Sequence, residues 1–257
     1  MNSTTEHALS KVPEVTLIFW VIKIAATTLG ETGGDAVSMS MNLGYLVSTV
    51  IFALIFICAV AAQIKARRFN PFLYWTTIIA TTTVGTTLAD FADRSLDIGY
   101  AGGASLLFVL LMASLFVWYW SLGSIAVNTV SSPKIEIFYW VTIMFSQTLG
   151  TAFGDWTADT AGIGYEGGTI LFGVLLGLVA AAYFWTNISR TLLFWAAFIF
   201  TRPLGAVVGD FLDKPISAGG LALSRYTASA VLLAIIIACI LIFEQQAARA
   251  TPQKTAA

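Results

Sequence analysis

Hydrophobic residues fall into eight stretches of spanning length, at residues 17–37, 43–64, 73–92, 102–127, 137–157, 167–187, 192–212 and 220–244. A helix of about 20 apolar residues crosses the hydrocarbon core of a bilayer. The stretches are of two kinds. The even-numbered ones are almost wholly apolar, whereas the odd-numbered ones carry Thr, Gly and one late Asp at helical spacing. In lipid a polar stripe must face protein or water. The pattern therefore predicts four inner helices, numbers 1, 3, 5 and 7, with four plainer helices outside them.

The odd stretches are copies of one another. Aromatic pairs Phe19-Trp20, Tyr74-Trp75, Tyr139-Trp140 and Phe194-Trp195 open them, and from each Trp a Gly follows at +10 (Gly30, Gly85, Gly150, Gly205) and an Asp at +15 (Asp35, Asp90, Asp155, Asp210). Ten residues beyond the Asp stand Tyr45, Tyr100 and Tyr165, with Gly220 in the fourth copy. The chain divides into a tail at 1–14, repeats at 15–65, 70–130, 135–190 and 191–245, and a tail at 246–257. Two crossings per repeat put all four in the same orientation, so they are parallel rather than inverted repeats. The expected fold is an all-α integral membrane protein of eight transmembrane helices, its four two-helix repeats in a pseudo-fourfold or twofold arrangement about the membrane normal.

Composition strengthens the membrane reading: 58% of residues are hydrophobic, 11% are charged, and mean hydropathy is +0.83. A net charge of −1 with scattered basic residues offers nucleic acid no face to bind. Cys58 and Cys239 lie within apolar runs without metal or redox spacing, and read as small apolar residues. No cleavable signal peptide is recognisable at the N-terminus. Lys11, Lys65, Arg67, Arg68, Lys134, Arg190, Arg249 and Lys254 lie at the ends and between repeats, against Arg94, Lys214 and Arg225 within repeats. The positive-inside rule then places both termini in the cytoplasm. Trp20, Trp75, Trp140 and Trp195, with Trp118 to Trp120 and Tyr183 to Trp185, are expected as interfacial anchors on that side, a gating or binding role for the four repeated Trp being the alternative.

The chain resembles a family of bacterial multi-pass membrane proteins built from four tandem copies, each of two transmembrane segments with a characteristic tryptophan. The resemblance covers residues 15–245 and rests on the four Trp with their Gly and Asp followers. It implies the architecture and a bacterial inner membrane, and no activity.

At about 100° per residue, positions +7, +8, +11 and +15 from the Trp share one face of each odd helix. That face holds Thr27, Thr28, Glu31 and Asp35 in the first copy and Thr82, Thr83, Thr86 and Asp90 in the second. In the third it holds Gln147, Thr148, Thr151 and Asp155, and in the fourth Arg202, Pro203, Ala206 and Asp210. The Asp lies about 22 Å above the Trp, and Asp93, Asp97, Asp159, Glu166 and Asp213 gather at the same end. A ring of four carboxylates attracts cations. Oxygen ligands without His or Cys suit Mg²⁺, Ca²⁺ or Mn²⁺, with Glu31, Asp35, Asp90, Asp155 and Asp210 as the ligands. Alternatively each Asp caps a following turn. The glycines either let helices approach closely or, with Pro203, break them.

Lys23, Glu31 and Arg202 occur in one copy only, at depths where an ionisable group marks a functional site. If helices 1 and 7 adjoin, Glu31 and Arg202 can pair, either to fix the packing or to act as a switch. The expected function is transport or export of a small cation, most plausibly a divalent metal, with the lipid bilayer as surroundings and no cofactor. A membrane binding or regulatory protein is the alternative. An enzyme is not expected, because the one histidine, His7, lies in the polar tail and no nucleophile or zinc motif is present. Paired Asp leave an aspartyl enzyme open.

Overall fold

The computed structural model describes residues 10–95, 99–130 and 132–248. His7, Asp97, Arg249 and Lys254 lie outside them. Among the described residues there are eight α-helices: α1 Leu17–Asp35, α2 Tyr45–Lys65, α3 Pro71–Asp90, α4 Tyr100–Leu122, α5 Pro133–Asp155, α6 Gly164–Trp185, α7 Arg190–Asp213 and α8 Arg225–Ile242. They contain no strand; an isolated antiparallel bridge joins Pro13 to Ala247.

The ends depart from the hydrophobic pattern for local reasons. α3 and α5 begin at Pro71 and Pro133, before the apolar runs, because Pro at the first helical position lacks only an N–H that has no partner there. α4 stops at Leu122, five residues early, where Gly123 turns left-handed at φ 71° and donates to Tyr119 O at 2.7 Å. Residues 220–224 are not helical. They fold back on the end of α7, Leu221 N donating to Phe211 O at 2.8 Å and Leu223 N to Leu212 O at 2.9 Å.

α1, α3, α5 and α7 form a closed ring in which each packs against two others, α1 meeting α7 as well as α3. The other four lie outside. Each packs chiefly on the first helix of the following repeat rather than on its own partner: α2 on α3, α4 on α5, α6 on α7, and α8 back on α1. No repeat is thus a self-contained unit. α2, α4, α6, α7 and α8 are long and apolar enough to cross a membrane, but only 11–22% of the apolar window is buried in the four outer helices, against 72% in α7. The chain is a membrane protein by this measure, and the apolar surface it leaves exposed lies mainly on the outer helices. α1, α3 and α5 are less apolar because their Thr, Gly and carboxylate residues face the ring.

Small residues set how closely the ring closes. A Cβ on Gly30 would lie 2.2 Å from Thr82 Oγ1, on Gly85 3.0 Å from the Gln147 backbone, on Gly150 2.2 Å from Arg202 Cγ and on Gly205 2.3 Å from Thr27 Oγ1. Each +10 glycine therefore seats the +7 residue of the next repeat, round the whole ring. The glycines serve helix approach and do not break the helices. α7 runs through Pro203 without interruption.

Candidate functional site

The ring encloses a polar column to which every repeat contributes. At its middle Arg202, fully buried, donates from Nη2 to Glu31 Oε2 at 3.0 Å, to Thr86 Oγ1 at 2.6 Å and to Thr151 Oγ1. Thr86 Oγ1 lies 3.2 Å from Glu31 Oε2 and 3.2 Å from Gly30 O. Glu31, Thr86 and Thr151 are the +11 residues of repeats one to three. The fourth has Ala206 there, and Arg202 reaches into the layer from one turn nearer the Trp end. The adjacency of α1 and α7 thus produces the Glu31–Arg202 pair that their separate sequences allowed. Removing one partner of such a buried pair strands the other charge.

Toward the Asp end, the four repeated aspartates are 1–3% exposed. They do not stand as a bare carboxylate ring. Lys214 Nζ lies 2.7 Å from Asp35 Oδ2 and 2.9 Å from Asp210 Oδ1, and Arg94 lies 3.2 Å from Asp90 and 3.6 Å from Asp155. Two cations each span two neighbouring repeats. Burial works against the charge of Lys214 and of Arg94, yet the facing carboxylates outweigh it and hold both pKa values above their ordinary ones. Tyr45 and Tyr100 hydroxyls complete the surroundings of Arg94, at 3.1 and 3.2 Å. Arg225 pairs with Asp213 at 2.9 Å.

Neither Asp35 nor Asp155 caps the turn that follows with its side chain. The backbone instead continues as a single π-helical turn, Ala36–Ser40 and Trp156–Thr160, and a third follows Asp90 at Phe91–Ser95. The layer of Glu31, the four repeated aspartates and Asp213 holds six carboxylates against the cations Arg94, Arg202, Lys214 and Arg225, the last reaching Asp35 at 3.7 Å as well as Asp213. Within it Glu31, Asp155 and Asp210 each offer an oxygen within 4.8 Å of the other two, and Asp35, Asp210 and Asp213 form a second such group.

Other residues expected on the path are placed differently. Thr28, Thr83 and Thr148 are buried but donate to carbonyls of their own helices, at Ile24, Ile79 and Met144, so they take no part in the network around Arg202. Gln147 lies below that network. Its Oε1 accepts from Lys23 Nζ at 3.4 Å, and the ammonium stands 4.2 Å from the Phe198 ring centroid. Among the described residues Lys23 has no ion-pair partner.

The repeated tryptophans form no lipid-facing belt. Trp75, Trp140 and Trp195 are 1–3% exposed and Trp20 is half-buried. Each aromatic that precedes a repeated Trp packs at a tilt on the Trp of the next repeat, Phe19 on Trp75, Tyr74 on Trp140, Tyr139 on Trp195 and Phe194 on Trp20, which closes the Trp end of the ring, and the Tyr74 and Tyr139 hydroxyls bond at 2.6 Å. Trp118 joins this core, while Trp120 and Trp185 are exposed. An aromatic run at a helix end fits lipid or protein equally well in sequence, and here the ring's own interior takes it.

Below the aromatic core the two chain ends clasp. Ser10 N donates to Ala248 O and Ala248 N to Val12 O, while Lys11 Nζ reaches Glu136 Oε1 at 2.6 Å and the last carbonyls of α2. Lys11, Arg94 and Lys214 are the contributors that sequence reading passed over as loop charges. For Arg94 and Lys214 a signal existed: each stands four residues after the repeated Asp in copies two and four, the spacing of a helical ion pair.

No curated protein and no solved structure matches the chain. The family described as Repeat of Unknown Function (DUF347) matches residues 18–69, 73–124, 138–189 and 193–244. Each segment takes in one inner and one outer helix. Four copies cover most of the length, and the chain belongs to the DUF347 repeat family.

Proposed function

We propose that this protein transports or exports a small cation across a bacterial inner membrane. In this reading all eight helices cross the bilayer, both termini are cytoplasmic, and the repeats stand pseudo-fourfold about the membrane normal, reduced to twofold by Arg94 and Lys214. One observation carries the proposal: a buried column built by all four repeats, whose carboxylate layer, with Asp213, holds six carboxylates against four cations. Stabilising a helix bundle does not require such an excess, since buried charge is costly in lipid and apolar residues pack as well.

The geometry favours a carrier over an open pore. Arg202 fills the middle of the ring, the aromatic core and terminal clasp cover the Trp end, and Arg94 and Lys214 cover the Asp end with side chains 28% and 12% exposed. An ion entering from the Asp end meets the two covering cations, then the carboxylates, then Arg202. Passage requires Glu31 to exchange Arg202 for the ion, which links ion arrival to movement of α7 against α1. The same closure favours the second reading, a membrane binding or regulatory protein that moves nothing.

Uptake into liposomes containing the purified protein separates the two, with Mg²⁺, Mn²⁺, Ca²⁺, Zn²⁺ and protons as the panel and Glu31→Gln beside the parent. Protein-dependent flux of one ion, abolished in the variant, is expected. Folded protein that moves none of them overturns transport in favour of binding.

A further inference from the structure

We infer that Glu31, Asp155 and Asp210 form the seat of a single hard divalent cation; that this ion is the cargo rests on the transport reading above, whereas the seat itself does not. The three carboxylates come from α1, α5 and α7, and an oxygen of each lies within 4.8 Å of the others. Oxygens on opposite sides of a Ca²⁺ ion stand about 4.6–5.2 Å apart, and slightly closer across Mn²⁺ or Mg²⁺. Three oxygens 4.8 Å apart stand about 2.8 Å from their common centre, against about 2.3–2.6 Å for a Ca²⁺–oxygen bond, so side-chain movements of a few tenths of an ångström close the group on an ion of this class.

Asp155 supplies an independent observation. It is 2% exposed, yet neither of its carboxylate oxygens accepts a hydrogen bond, and its nearest cation, Arg94, stands 3.6 Å away. Buried carboxylates in folded proteins are almost always hydrogen-bonded or paired at close range. One without a hydrogen bond, and with an oxygen within 4.8 Å of two other carboxylates, has the form of a ligand awaiting a cation. Glu31, though paired, keeps one oxygen outside the pair: Arg202 and Thr86 both bond to Oε2, and neither bonds to Oε1. In the other trio, Asp35, Asp210 and Asp213, every member is held by a cation within 3 Å, Lys214 on Asp35 and Asp210 and Arg225 on Asp213; Glu31 and Asp210 of the first trio are held likewise, and Asp155 is the member that is not.

The formal charge agrees with such an ion. With Asp213 and Arg225 counted, six carboxylates face four cations, an excess of two that one divalent ion matches. Lys23 does not enter the count, because it lies eight residues before Glu31 on the same helix, about 12 Å toward the Trp end. Every ligand atom is oxygen, the donor set of hard cations rather than of soft ones. Arg202 on Glu31 and Lys214 on Asp210 keep like charges beside the seat. A bound ion is therefore held less tightly than three carboxylates alone would hold it, which suits release.

The test is Mn²⁺ binding to the purified full-length protein in detergent, followed by electron paramagnetic resonance and calorimetry. One Mn²⁺ per chain is expected, displaced by Ca²⁺ and Mg²⁺, with affinity at least tenfold weaker in Asp155→Asn and unchanged in Asp93→Asn. Asp155→Cys, which exchanges a hard ligand for a soft one, should shift preference from Mn²⁺ toward Cd²⁺. Absence of saturable binding in folded parent protein overturns the seat, as does parent-like Mn²⁺ affinity in Asp155→Asn. If that variant does not fold, the parent stoichiometry and the Cys variant decide: more than one ion per chain, or an unchanged metal preference, overturns the inference. Flux is read separately, so binding without flux refutes transport and leaves the seat, while flux without Mn²⁺ binding does the reverse.

Discussion

Gly205→Ala is the sharpest perturbation of the ring. The added Cβ would lie 2.3 Å from Thr27 Oγ1, 2.5 Å from Thr27 Cβ and 2.8 Å from the Thr27 backbone carbon. A side chain can rotate away, but backbone cannot. Ordinary carbon contacts begin near 3.5 Å, so α1 and α7 must part by roughly 0.7 Å. Parting them strains two bonds that cross the same interface, Thr27 Oγ1 to Thr201 O at 3.2 Å and Arg202 to Glu31 at 3.0 Å. Overpacking of this kind destabilises by about 1–3 kcal/mol, and a weakened hydrogen bond adds about 1 kcal/mol. The better helix propensity of Ala offsets about 1 kcal/mol. The net expectation is a loss of about 1–3 kcal/mol.

Gly177→Ala is the control, because α6 leaves nothing within 4 Å of the new atom. It retains only the propensity gain, up to about 1 kcal/mol. Unfolding in detergent, by circular dichroism against heat and sodium dodecyl sulfate, compares the two with the parent. Parent-like stability in Gly205→Ala, or an equal loss in Gly177→Ala, would refute the view that the repeated glycines set the ring's diameter.

Three further outcomes are expected. Arg202→Gln and Glu31→Gln should each destabilise by about 3–5 kcal/mol, because each strands a buried charge, and the double variant by less than their sum; a double-mutant cycle measures the coupling. Lys11→Ala should destabilise by a similar amount, since Glu136 is fully buried and Lys11 is the cation it meets; Lys11→Ala with Glu136→Gln should recover part of the loss in thermal unfolding. Asp93, in the turn beyond α3, has its pKa pushed up to about 6 by burial, with Arg94 pulling it down. Its charged form is the disfavoured one, so folding stability falls as pH rises from about 4 through about 6 and returns on acidification. Asp93→Asn should therefore be more stable than the parent at about pH 8 and equal to it below about pH 4, read from unfolding midpoints across that range.

The four copies, the inner place of the odd helices and the opposition of Glu31 to Arg202 were legible because helical period converts spacing directly into faces. Legibility ended where two environments reward the same residue. Tryptophan suits both a bilayer interface and a protein interior, so Trp75, Trp140 and Trp195 could not be placed by type alone. Arg94 and Lys214 follow the last apolar residue of their stretches and read as loop charges, yet both reach back to buried carboxylates. The packing of each outer helix on the next repeat was hidden for another reason: all faces of an evenly apolar helix look alike in sequence. Thr28, Thr83 and Thr148 lie on the polar face as expected, but a threonine hydroxyl in a helix finds its own carbonyl before it finds a neighbour.

Frame and contents of the ring obey different symmetries, and the reason is what each position touches. A +10 glycine meets the neighbouring helix in every copy, so the same small residue is required four times. Residues within the ring meet one another instead, so a change in one copy is answered in another: Arg202 occupies the layer where Ala206 is small, and Glu31 supplies the opposite charge. At +19 the copies read Met39, Arg94, Asp159 and Lys214, which places a cation in alternate repeats only. That alternation is what leaves the carboxylate layer negative. Met39→Lys puts a third cation at the equivalent height, four residues after Asp35, and removes half of the excess. Met39 is half-buried, so an ammonium there stays partly hydrated while it stands beside Asp35, and the ring should fold as before. Mn²⁺ affinity should then fall at least tenfold while unfolding midpoints stay within error of the parent. Unchanged affinity in the folded variant would mean that the carboxylate excess does not hold the ion.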